Sequence, residues 1–273
     1  MHISFKTLIF IVFFLTMTAR LTAQNTDTLL YRSHSVRSFG FGFPEVNNSL
    51  LSPLNHSGYS LSFRSTRFRE KPEYLSQFHQ HFEIGVLHNQ ANDSYITSLA
   101  FAGGFSRHWY ASDRTRPLRL LFGVGGDASL GVYLKDDNTN NPVAYFFNLS
   151  FTPNAMLKYR FNIQKTKFEL SQQIDIPFVS LVSSSDYSAS LPSNFVEKDA
   201  NFFKAMRFVS FNSLKKCVTI TTLDITPSPE QRQKWPVFRI SYIFSGMNYE
   251  NGDFTVKSAD HVFLFGMIFH LFR

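Results

Sequence analysis

Residues 145–163 read YFFNLSFTPNAMLKYRFNI, and over most of that stretch large apolar side chains take one parity while polar ones take the other. Phe147, Leu149, Phe151, Leu157, Tyr159 and Phe161 stand against Asn148, Ser150, Thr152, Asn154, Lys158 and Arg160. Successive residues of a strand point to opposite faces, so a strand built from this segment is greasy on one side and polar or charged on the other. A strand of a transmembrane β-barrel has that pattern, with lipid outside and a polar lumen inside.

The rhythm recurs along the chain. Between 94 and 110, Tyr95, Leu99, Phe101, Phe105 and Trp109 oppose a face of Ser, Ala, Gly and His108. Between 118 and 134, Leu118, Leu120, Phe122, Val124, Leu130, Val132 and Leu134 oppose Arg119, Asp127 and three glycines. Between 167 and 178, Phe168, Leu170, Ile174, Ile176 and Phe178 oppose Lys167, Glu169, Ser171, Gln173 and Asp175, and Pro177 marks a strand end or a bulge. Weaker strands fall at 35–43, 57–67, 78–89, 206–212, 217–226, 237–249 and 261–272, separated by turn-like clusters such as NQAND at 89–93 and ENGD at 250–253. That makes eleven, whereas bacterial outer-membrane barrels normally have an even number; the stretch 183–204 is the place where one more could hide. The expected fold is all-β, a single antiparallel up-and-down transmembrane barrel of about twelve strands, with ten as the alternative.

Composition agrees with that class. The 273 residues include 32 Phe and only 2 Trp, and the single Cys217 permits neither an intramolecular disulfide nor a thiolate metal cluster. The opening MHISFKTLIFIVFFLTMTARLTAQ has a basic start at Lys6, an apolar run from Leu8 to Leu15 and small residues at Thr22 and Ala23, the layout of a secretory signal peptide. The expected organisation is a leader over 1–23 and a barrel over 24–273. The formal charge of +7 includes Lys6 and Arg20 of the leader, and the basic residues are scattered, which argues against a nucleic-acid face. Outer-membrane lipid and the barrel-assembly machinery are the expected partners, with the cell outer membrane as the destination and no cofactor implied.

If the apolar parity meets lipid, the other parity sends Arg64, His79, His81, Glu83, Arg119, Asp127, Lys158, Arg160, Glu169, Asp175 and Arg239 into the lumen. Their charges nearly balance, so they read first as a salt-bridged plug and second as the lining of a solute path. His79, His81 and Glu83 share one strand face, a spacing that a metal could use, although a polar lumen stripe explains it as well. Arg107 takes the apolar parity and belongs near a membrane rim, and Trp109 and Tyr110 read as interfacial residues. The final strand HVFLFGMIFHLFR is apolar on both parities and could pair with the first strand to close the barrel.

No G-x-S-x-G elbow, H-E-x-x-H or phosphate loop occurs in the sequence. His34–Ser35 and His56–Ser57 are sequence neighbours and so point apart in a strand, while Ser106 and His108 share a face. The leading functional reading is a structural or narrow solute-passing barrel; a membrane-embedded lipid hydrolase or acyltransferase and a secreted soluble β-sandwich that binds a partner are the alternatives.

The segments NNSLLSPLNHSGYSLSF, RLLFGVGGDASLGVYL, NNPVAYFFNLSFTPNAMLKYRF, FELSQQIDIPFVSLV and VSFNSLKKCVTITTLDI resemble a family of uncharacterised outer-membrane barrel proteins of Bacteroidota, known as a domain of unknown function. The resemblance covers most of the chain beyond the leader. It implies location and architecture, and no catalytic or binding residue.

Overall fold

The computed structural model describes residues 32–49, 52–135, 143–184, 206–228, 236–251 and 254–271. The leader expected over 1–23 and most of the stretch 183–204 lie outside the described residues. Among the described residues twelve strands run in chain order: β1 (Arg32–Asn48), β2 (Ser52–Glu70), β3 (Tyr74–Asn89), β4 (Ser94–Tyr110), β5 (Leu118–Leu134), β6 (Val143–Ile163), β7 (Thr166–Asp175), β8 (Val179–Ser184), β9 (Arg207–Ser210), β10 (Leu214–Thr226), β11 (Val237–Asn251) and β12 (Phe254–Leu271). All pair antiparallel in one sheet. The sheet closes on itself, because β12 lies against β1 with Phe265 opposite Phe39, and β5 lies against β6 with Leu118 opposite Tyr159.

Ten strands form the ring β1-β2-β3-β4-β5-β6-β7-β10-β11-β12, and β8 and β9 are additional. The two extra strands are continuations of neighbouring staves. β7 pairs with the later half of β6, β8 with its earlier half, and between them the Ile176 and Phe178 N–H groups donate to the Pro153 and Phe151 carbonyls at 3.1 and 2.9 Å. Pro177 thus sits in the interruption of a single long stave. Likewise β9 pairs with β8 and leads through residues 211–213 into β10. β8, which runs from Val179 to Ser184, is the strand that the eleven segments above leave out.

Register fixes the geometry. Followed from Phe39 through β2, β3, β4 and β5, the partner positions reach β6 at Phe147; followed through β12, β11, β10 and β7, they reach it at Tyr159, twelve positions along. A stagger of that size in a ten-stranded ring goes with strands tilted by about 40° to the barrel axis. Most strands have 15 to 21 residues, more than the roughly 9–11 needed to cross hydrocarbon at such a tilt, so they project beyond it.

The molecule is greasy outside and polar within. Along β6, every even position from Ala144 to Lys158 is buried and every odd one from Val143 to Tyr159 is exposed or half-exposed. Phe151 is 52% exposed while Asn148, three residues earlier, is 1% exposed. No second sheet among the described residues covers Phe151, which removes the soluble sandwich; an aromatic wall of this extent marks a surface that meets an apolar medium. Among the described residues no helix is long and apolar enough to cross a membrane.

Candidate functional site

Among the described residues most of the buried polar chemistry gathers in the lumen, and it is layered. At its centre, His79 on β3 and Asp127 on β5 face each other across Gly104 on β4, which is the register partner of both. The His79 Nε2 to Asp127 Oδ1 distance is 3.3 Å. A Cβ on Gly104 would run into the Asp127 carboxylate and lie 2.9 Å from the His79 ring, so the absence of a side chain there is what lets the pair meet. Arg64 on β2, opposite His81, lies within electrostatic reach of Asp127 and Asp175, and so does Lys216 on β10. Gln173 donates its side-chain amide to both oxygens of Asp175 at 2.8 and 2.9 Å. Slightly further along, Glu83 accepts from Ser62 at 3.1 Å, has His81 Nε2 at 3.8 Å and neighbours Asp260 of β12.

Toward the end that carries the chain termini, a second group is organised on Glu169. Its carboxylate takes the Arg119 Nη2 at 2.8 Å, Lys158 Nζ at 3.1 Å and Arg160 Nε at 2.6 Å. The register causes this: Arg119 is opposite Lys158, and Arg160 is opposite Glu169, so three cations from two strands converge on one acid. Arg119 is 1% exposed and Lys158 is buried, whereas the Arg160 side chain is 45% exposed. Glu70 joins the group through Tyr110, whose hydroxyl donates to it at 2.6 Å, and Arg114 at 2.9 Å, with Arg119 Nη1 3.8 Å away. Arg239 forms a two-pronged pair with Asp224, its register partner, at 2.5 and 2.6 Å, and its guanidinium lies 4.8 Å from the Phe68 ring centre.

These polar groups are bracketed by hydrocarbon. Near the terminal end Val36, Phe68, Leu75, Leu121, Met156 and their neighbours, drawn from strands on all sides of the ring, pack into one buried cluster. Near the other end Val46, Leu87, Ile96 and Ala144 form a second, and Phe146, Val182, Leu214, Tyr249 and Val256 a third beside it. The charged middle therefore lies between two apolar collars. A cavity of about 30 Å³ remains on the central side of Phe68 and Met156, near Arg64, Gln77 and Gln173, room for about two waters.

The eleven residues singled out from parity thus separate into a central set, Arg64, His79, His81, Glu83, Asp127 and Asp175, a set around Glu169 with Arg119, Lys158 and Arg160, and Arg239 with a partner of its own. Trp109 is 45% exposed on the outer wall, but Tyr110, adjacent and therefore on the other face, packs against the terminal-end collar instead of joining it at an interface. Sequence reading missed Glu70, Lys216, Asp224 and Asp260, and missed the collars altogether. The collars did leave a signal: Leu75 and Leu87 share the parity of His79, and Phe146 and Met156 that of Asn148, always toward strand ends. Lys216 and Asp224 were hidden because β10, LKKCVTITTLDIT, carries β-branched residues on both faces.

Two other arrangements bear on chemistry. His56 Nε2 is 3.1 Å from Ser94 Oγ, with its Nδ1 3.1 Å from the Leu54 carbonyl, the contacts of a nucleophile and its base. Ser94 is 4% and His56 1% exposed, and Ser94 also bonds Asn92 of the adjoining turn at 2.7 Å, so the pair braces the β3–β4 connection. Among the described residues no group of three His, Cys, Asp or Glu is placed to hold a metal ion, and His79 turns to Asp127 across Gly104 of the strand between them. Outside the barrel wall, Asp113 in the connection 111–117 accepts from the Thr115 N–H at 2.9 Å, and that backbone bond holds its carboxyl below the usual range.

Comparison with solved structures bears on the fold. The outer membrane protease OmpT from Escherichia coli superposes with a TM-score of 0.51 at 8% identity, over 90% of this chain and 100% of that one. The transport unit of the autotransporter AIDA-I from Escherichia coli gives a TM-score of 0.42 at 8% identity, over 96% of this chain and 97% of that one. At such identity the first likeness establishes the fold of an outer-membrane β-barrel and nothing of its activity. No curated protein matches the sequence. A family model described as "Protein of unknown function (DUF3316)" matches residues 6–273.

Proposed function

Since the chain belongs to that family of unknown function, which brings it no assigned activity, we propose from its geometry that it is a sealed structural barrel of the cell outer membrane rather than a conducting pore. On this reading a signal peptide over 1–23 is removed on export, the barrel-assembly machinery inserts the rest, and outer-membrane lipid surrounds the aromatic wall. The carrying observation is the pair of apolar collars across the lumen. An ion moving along the axis would leave the central charges and pass among buried apolar side chains, where a bare charge is costly to bury. The Glu169 group adds a second barrier at the terminal end, because Arg119 and Lys158 are held by ion pairs and are not free to hand a solute along.

Planar-bilayer recording on the purified full chain tests this. The expected record is a flat baseline at either polarity, alongside a gel mobility that changes on boiling. Reproducible unitary steps in conductance would overturn the sealed reading in favour of solute passage. A chain that partitions to the aqueous phase and needs no detergent would overturn the membrane reading itself.

A further inference from the structure

The outer wall of β1–β4 is interrupted by arginines. Arg67 and Arg69 on β2 and Arg107 on β4 are exposed on the parity that elsewhere carries Phe63, Phe101 and Phe105, and Arg37 of β1 shares that face. They are neighbours in the sheet: Arg67 stands opposite Ser35 and Phe78, while Arg69 and Arg107 flank Ser76 of β3 from its two sides. Hydrocarbon adjoins them, since Arg107 is opposite Val124 of β5 and Arg37 is opposite Met267 of β12. Below them lie Trp109, exposed, and Tyr74, whose ring supports the Arg107 guanidinium at 4.5 Å. No carboxylate occupies an outward position on these registers, and among the described residues Arg67, Arg69 and Arg107 make no ion pair.

A lipid-facing arginine is unfavourable in hydrocarbon, and several side by side add mutual repulsion. The arrangement becomes favourable where the aromatic belt gives way to headgroups, if an anion lies between the guanidiniums. Arginine's planar fork matches the oxygens of a phosphate, and basic residues at a membrane surface attract anionic lipid. The patch lies at the end where β1 begins and β12 ends, whose connections β2–β3, β4–β5, β6–β7 and β10–β11 have 3, 7, 2 and 10 residues, while the other end carries the longest connection, the 22 residues between β8 and β9, beside shorter ones. Short connections belong to the periplasmic side of such barrels and long ones to the outside.

We infer that Arg67, Arg69 and Arg107, with Arg37 beside them, form a binding site for the phosphate of an anionic glycerophospholipid in the periplasmic leaflet. The site rests on the membrane reading above and names the lipid that the wall selects. Vesicles and nanodiscs of mixed phosphatidylglycerol and phosphatidylcholine, with native mass spectrometry of the released protein, test it. The wild-type chain retains phosphatidylglycerol in preference to phosphatidylcholine. Arg67→Gln/Arg69→Gln/Arg107→Gln loses that preference by on the order of a hundredfold, at the strength expected per basic residue at a membrane surface. The triple Arg→Lys variant keeps part of it, and Lys215→Gln/Lys257→Gln, which removes outward cations near the other end, leaves it intact; a boiling-dependent gel shift verifies that each variant is folded. Equal retention of both lipids by the wild type, loss in the lysine control, or a preference seen only with lipopolysaccharide phosphates would overturn the site. Failure to enter any bilayer would remove the membrane reading and the site together, whereas entry without lipid preference removes the site alone.

Discussion

Glu169 is the residue on which most depends. It receives Arg119, Lys158 and Arg160, two of them shut away from water, so its loss leaves buried cations with only the more distant Glu70, 3.8 Å from Arg119, to offset them. Removing one partner of a buried pair typically costs about 3–5 kcal/mol, more than the pair itself contributes over an apolar replacement. We expect Glu169→Gln to lower the stability of the vesicle-inserted barrel by that order in urea titration, and Arg119→Met/Glu169→Met to cost less than the two single changes added. An unchanged midpoint for Glu169→Gln would remove Glu169 from the centre of the group. Gly104 makes the other sharp case. Because a Cβ there meets the Asp127 carboxylate and the His79 ring, Gly104→Val should cost about 1–3 kcal/mol through overpacking, whereas Gly126→Val, on the open outer parity, should cost little by the same titration.

At the scale of the strand, alternation is the stabilising device, and it is graded by depth. β6 is the reference, with Phe151 midway along its outer face and Phe161 near its end at the turn 164–165. Arginine on the lipid face costs about 2–4 kcal/mol at mid-bilayer and falls to about 0–1 at the interface. Phe151→Arg is therefore expected to destabilise the inserted barrel by the larger amount and Phe161→Arg by the smaller one. Equal effects at the two positions would mean that β6 is not inserted along the axis described. By the same gradient Arg37, Arg67, Arg69 and Arg107, which lie to the terminal side of Phe39, Phe63 and Phe105, are expected nearer an interface than the middle of the wall. It also explains why Tyr110 defeats a reading by residue type: its neighbour Trp109 holds the outer face, and adjacent residues of a strand cannot share one.

For the whole molecule the decisive contact is β12 against β1, which leaves the ring without a free edge. A chain ending before β12 would expose the unpaired edges of β1 and β11 and their phenylalanines. Such a truncation is expected to aggregate on refolding and to give a single gel band whether boiled or not, whereas the full chain gives two; a truncated chain that still shifts on boiling would mean that closure is not what resists detergent. The two-residue rhythm at 145–163, and its echoes at 94–110 and 118–134, determined by itself that the chain is a membrane-type barrel, because side-chain parity in a strand is a local property that neighbours cannot alter. What only the tertiary structure decided is how many strands go round, which acid meets which base, and that the lumen is capped. Those depend on the stagger of twelve positions around ten strands, which brings Glu169 to Arg119 and stacks Val36, Phe68 and Leu121 into one layer. Register is the sum of every pairing round the closed ring, and no single segment carries it.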